Sequence, residues 1–237
     1  MNADISNFLY GAVGGGMVAT GMRITETYLI SPRFSESIEA RKKLFVYARP
    51  LSYACHELEY RLSAVLDEID GKTAADSALR FSPKQAESID WFTKEGYYVT
   101  STAYLIASVS SWIQLYERDV VFLKFGRLSL TRQFFILIEQ FKSSLSNRGS
   151  ILWFYYVNGI GEQLVDRDNN RPMTMTDFIY KLYEDELFRS YYDQLFTFLN
   201  QVSEGRYLDN IQDVIQQANE IKRFLVENRV TISMYGS

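Results

Sequence analysis

Apolar and polar positions along this chain fall into helical periods almost throughout. After Ser31-Pro32-Arg33-Phe34-Ser35, a break with Ser35 as N-cap and Glu36 and Glu39 in the first turn, apolar residues recur at helical spacing (Ile38, Leu44, Phe45, Ala48, Leu51, Leu58, Leu62, Val65, Leu66). That pattern predicts one helix to about Asp70, kinked by Pro50 near 46–49. Residues 71–80 read as a polar loop, and Ser82-Pro83 as the cap and first residue of the next helix, broken near Gly96. Residues 96–116 carry no charge, but Thr100, Ser101, Thr102, Ser108, Ser110, Ser111 and Gln114 dilute them. They are expected to be the central buried helix of a bundle rather than a second membrane span.

Beyond Lys124-Phe-Gly126, helices are predicted over 128–145, 151–165 and 185–202, with a short one capped by Thr176 beside Asp177. Ser146-Asn-Arg-Gly149 is a turn and residues 166–172 form a polar loop. The last helix, 207–227, sets Leu208, Ile211, Val214, Ile215, Ala218, Ile221 and Leu225 at near-heptad spacing. No segment alternates with period two and no repeat is present, so the expected class is all-α.

The front of the chain breaks the amphipathic pattern. From Ile5 to Met22 there are 18 uncharged residues, closed by Asp4 and Arg23. That length reaches about 27 Å as a helix, close to the roughly 30 Å of a bilayer's hydrocarbon core. A secretory leader is disfavoured because Asn2 and Asp4 stand where a basic region belongs. A buried helix of a soluble bundle is disfavoured by Gly11, Gly14, Gly15, Gly16 and Gly21, each costing about 1 kcal/mol relative to alanine in a helix interior. A phosphate loop lacks its preceding strand and its following lysine. The favoured organisation is a glycine-rich membrane helix within residues 1–30, followed by a helical bundle over 31–237.

Gly11, Gly15 and Ala19 recur every four residues, and Ala12, Gly16 and Thr20 form a second such row beside them. Rows of small residues let membrane helices approach closely, and two adjacent rows permit a neighbour on either side, as a ring requires. The first basic residues after the stretch are Arg23, Arg33, Arg41, Lys42 and Lys43, which orients the C-terminal part toward the cytoplasm and sets Arg41-Lys42-Lys43 near anionic head groups.

Composition narrows the chemistry. The net charge of −4 exerts no general pull on nucleic acid. One cysteine, Cys55, and one histidine, His56, leave no disulfide, no zinc site and no staffed hydrolase triad within a single chain. No cofactor or metal is implied. Glu57, Glu59 and Arg61, and Glu117, Arg118 and Asp119, are expected on solvated faces or in inter-helix pairs. Gly159 and Gly161 in Asn158-Gly-Ile-Gly161-Glu162 are expected to permit a close helix crossing. The one patterned catalytic candidate is Arg49-Pro-Leu-Ser-Tyr-Ala-Cys-His56, which resembles the Arg-x4–6-His motif of HEPN-type ribonucleases. It departs from that motif at Pro50, where a polar residue is usual. The resemblance implies that Arg49 steadies phosphorane charge and His56 moves a proton.

The whole arrangement also resembles a broad group of uncharacterised bacterial membrane-anchored helical proteins. The residues that carry this are Gly96-Tyr-Tyr-Val-Thr-Ser-Thr-Ala-Tyr-Leu, Trp112-Ile-Gln-Leu-Tyr-Glu-Arg-Asp-Val-Val-Phe-Leu123 and Ile160-Gly161-Glu162. In plan it is similar to the membrane accessory proteins of type VI CRISPR systems, which pair an N-terminal membrane helix with a HEPN-like domain. That likeness implies a single-pass protein of the bacterial inner membrane, oligomeric and pore-forming, acting in antiphage defence with a protein partner. The alternatives that remain are a HEPN-type ribonuclease and a soluble helical adaptor.

Overall fold

The computed structural model describes residues 31–71, 79, 88–120, 128–147 and 149–228, with side chains of the first helix from Val46 onward. The expected anchor, with Gly11, Ala12, Gly15, Gly16, Ala19, Thr20 and Arg23, lies outside the described residues. The chain divides into two compact units, Met1–Lys43 and Leu44–Ser237. The second is an all-α bundle.

Eight helices are described: α1 Ser31–Ile69, α2 Ile89–Thr93, α3 Tyr97–Val120, α4 Leu128–Ser146, α5 Phe154–Leu164, α6 Met175–Glu184, α7 Glu186–Ser203 and α8 Leu208–Glu227. Between α5 and α6 sits a two-residue antiparallel ladder, β1 Val165–Asp166 with β2 Arg171–Pro172. The expected loop therefore closes as a small hairpin. The Asp166 carboxylate accepts the N–H groups of Asp168 and Asn169, and Asn170 takes the left-handed conformation at φ 52°, which asparagine tolerates better than most residues.

α3 is the centre. It packs against α2, α5, α6, α7 and β2. Val99, Ala103, Ile106, Ala107, Val109 and Ile113 are buried along it. The uncharged run 96–116 is thus core, and no helix among the described residues is long and apolar enough to cross a membrane. Three of its hydroxyls bond the helix's own backbone: Ser101 and Thr102 donate to the Tyr98 carbonyl, and Ser110 to that of Ile106; the Thr100 and Ser111 hydroxyls are buried without a partner among the described residues. α4 packs on α8, where the near-heptad positions Ile211, Val214, Ala218, Ile221 and Leu225 are buried and Phe134 stacks on Phe224 at 5.3 Å.

Two glycines set close approaches. At Gly96 a Cβ would lie 2.5 Å from the Trp91 ring, so the break between α2 and α3 folds tightly over that indole. At Gly161 a Cβ would lie 2.7 Å from the Ser110 backbone, so the α3–α5 crossing requires glycine there. Gly159 faces open space and takes no part in that crossing.

Several boundaries differ from the sequence expectation. The segment from Ser31 to Ser35 is helix, not a break. Pro32 lies in the first turn, where its missing N–H has no intrahelical acceptor, so Ser35 is not the cap. As expected, α1 continues through Pro50 as one helix to Ile69. The cap of α6 is Thr174, whose hydroxyl oxygen accepts the Asp177 N–H at 3.2 Å, rather than Thr176. α5 begins at Phe154, after an extended Trp153.

Candidate functional site

The described chain concentrates its polar contacts at the C-terminal end of α3. Helical geometry turns each successive side chain by about 100°, so four residues there point to four different elements. Gln114 donates to Asn158 of α5 at 3.0 Å. Glu117 receives Lys142 of α4 at 2.9 and 3.0 Å. Arg118 donates to the Asn170 side chain in the hairpin. Asp119 accepts the Tyr47 hydroxyl of α1. Asn170 closes the ring, donating to the Tyr47 oxygen at 2.6 Å and to Asp119 at 3.1 Å. Trp112 meets the Tyr47 ring edge-on at 6.5 Å.

The electrostatics make this a lock. The Arg118 guanidinium, donating to Asp119 at 2.7 Å, holds that carboxyl well below the usual carboxylate range, with Tyr47 and Asn170 adding donors. Burial, then the hydrogen bond to Asp119, pushes the Tyr47 phenol up. Neither group exchanges protons near neutral pH, so the pair lacks the properties of a general acid or base. Lys142 is nearly buried, 5% exposed, and sits between Glu117, Glu139 at 3.4 Å and the Phe154 ring at 5.8 Å. Of the mixed-sign groups, Glu59 and Glu117 form inter-helix ion pairs, whereas Arg118 pairs with its neighbour Asp119 on the same helix. Glu59 binds Lys222 of α8, and Arg61 reaches the Ser101 hydroxyl at 2.6 Å while lying 4.4 Å over the Tyr98 ring.

The sequence candidates fall elsewhere. Cys55 is fully buried and burial pushes its thiol up, so it is no nucleophile. Arg49 is exposed and His56 half-buried on α1. Seven residues apart on a helix, they lie within about 20° of one another around its axis. Arg33, Arg41, Lys42 and Lys43 fall on the helical backbone of α1. Among the described residues no group of three His, Cys, Asp or Glu is placed to hold a metal ion.

The outward face of α1 is the surface that sequence periodicity left unread. Tyr47, Ala48, Leu51, Ala54, Cys55, Leu58, Leu62 and Val65 turn into the bundle. The opposite side exposes Val46, Tyr53 and Tyr60, a strict seven-residue repeat, with Arg49, His56 and Glu57 between them. The inward set dominates the helical signal, so the second stripe was masked by the first. The Tyr47–Asp119–Asn170 ring had no local signal, its members lying 72 and 51 positions apart.

Comparison of the chain with protein-family models, curated proteins and solved structures found no match.

Proposed function

We propose that this protein is a membrane-anchored helical module that assembles through its N-terminal segment, and that its bundle docks a protein partner instead of performing catalysis. The observation that carries the proposal is the uncharged stretch from Ile5 to Met22 with its two small-residue rows, Gly11-Gly15-Ala19 and Ala12-Gly16-Thr20. The bundle supports it by what it does with its charges. Glu59, Glu117, Asp119, Lys142 and Lys222 are spent on holding helices together, not gathered around a reacting centre. A ring of such anchors permeabilises the bacterial inner membrane when the partner engages the cytoplasmic bundle, and Arg23, Arg33, Arg41, Lys42 and Lys43 hold the cytoplasmic side. The test is the size of the full chain in detergent, beside a variant carrying Gly11→Leu, Gly15→Leu and Gly16→Leu. The proposal expects an oligomer that the leucines dissociate. A monomer, or an oligomer indifferent to all three, defeats it.

A second reading, a HEPN-type ribonuclease, draws support from Arg49 and His56 sharing one side of α1. It predicts RNA cleavage that His56→Ala abolishes at unchanged melting temperature. An unaltered cleavage rate in that variant eliminates His56 from any such chemistry.

A further inference from the structure

The outward stripe of α1 is self-complementary. Val46 is 61% exposed, Tyr53 52% and Tyr60 74%, on a helix whose opposite side is buried from Tyr47 to Val65. At 100° per residue these three lie within about 40° of arc and span about 21 Å along the axis. Charge is arranged symmetrically about the middle one. Arg49 stands four residues before Tyr53 and Glu57 four residues after it, about 40° to either side. Among the described residues neither Arg49 nor Glu57 has an ion-pair or hydrogen-bond partner, whereas Glu59 and Arg61, on the same helix, both do.

We infer that this face binds the same face of a second copy, with the two α1 helices antiparallel and a two-fold axis at Tyr53. In that arrangement Tyr53 meets Tyr53, Val46 of each copy packs under Tyr60 of the other, and Arg49 of each pairs with Glu57 of the other. An isologous contact of this kind makes every favourable pair twice. A parallel pairing sets Arg49 against Arg49 and Glu57 against Glu57, so the charges select the antiparallel one. Aromatic residues with an arginine at the edge are also the composition enriched in protein interfaces. The inference concerns residues 46–60 alone and does not depend on the anchor.

The test uses the full chain, in detergent if it needs it. Cys55 is buried, so an introduced cysteine reports its own contacts. Under mild oxidation Tyr53→Cys is expected to form a disulfide-linked dimer by itself. Val46→Cys and Tyr60→Cys are each expected to form no disulfide-linked dimer alone and to cross-link when the two variants are mixed. In the Tyr53→Cys background, Arg49→Glu and Glu57→Arg are each expected to weaken dimerisation about tenfold, and the double swap to restore it. Circular dichroism checks that each variant stays folded. Overturning results are the absence of any Tyr53→Cys dimer, a Val46→Cys homodimer (the parallel register), or a dimer indifferent to both single charge reversals. Protection of Tyr53→Cys from alkylation only by anionic lipid vesicles, with no dimer, makes the face a lipid contact and overturns the inference too.

Discussion

α1 and α3 are the two longest described helices, 39 and 24 residues, and they spend their surfaces in different ways. α3 is enclosed by five other elements, buries small apolar and hydroxyl side chains, and places its charged residues in one cluster at its C-terminal end. α1 buries one side and leaves the other lined by Val46, Tyr53 and Tyr60. Enclosure demands that each polar group find a partner, because an unpaired buried one costs about 1–3 kcal/mol. α3 meets part of that demand through the links made by Gln114, Glu117, Arg118 and Asp119, while its buried Thr100 and Ser111 hydroxyls stay without a partner among the described residues. An outer face carries no such demand, so the unpaired Arg49 and Glu57 of α1 cost nothing in the single chain and are free for intermolecular use.

The contrast can be broken from the α3 side first. Lys142→Ala strands Glu117 at the edge of the core and is expected to cost about 3–5 kcal/mol in chemical denaturation. Replacing the pair together, Lys142→Met with Glu117→Gln, should recover much of that loss, because the uncompensated charge is gone. Gly161→Ala forces a methyl against the Ser110 backbone and should cost about 1–3 kcal/mol. Gly159→Ala, two residues away and facing open space, should be neutral or stabilise by up to about 1 kcal/mol. Equal effects at the two glycines would remove the close α3–α5 crossing from this account.

Asp119 gives a pH-dependent version of the same comparison. Its folded pKa lies below the unfolded value of about 3.9, so its stabilisation is complete above that value and is lost as pH falls through about 4 toward the folded pKa. Asp119→Asn is therefore expected to cost about 1 kcal/mol at neutral pH and progressively less in acid. The gap between the melting temperatures of the two proteins should be smaller at pH 3 than at pH 7. The smallest effect belongs to α1: Tyr60→Ser should change folding stability by no more than about 0.5 kcal/mol, since it empties no cavity.

The helical class, the central place of residues 96–116 and the buried stripe of α8 were legible from apolar period, because those faces are single and strongly patterned. Boundaries were less so. Ser31-Pro32 looks like a stop but is also what a helix's first turn accepts, and Thr174 and Thr176 are both able to cap. The polar lock was not legible, since Tyr47, Asp119 and Asn170 meet only once α1, α3 and the hairpin are assembled. Arg49 and His56 could be found by motif, whereas the symmetric placement of Arg49 and Glu57 about Tyr53 needed the knowledge of which side of α1 faces out.

Membrane attachment is the claim on which the proposed function stands, and alkaline carbonate extraction of cell membranes tests it most directly. The full chain is to be compared with a version lacking residues 1–30 and with a full-length variant carrying Val13→Arg and Val18→Arg. The full chain is expected to stay in the membrane pellet and both altered forms to be released. Release of the unaltered chain, or retention of all three, would contradict anchoring by the stretch from Ile5 to Met22.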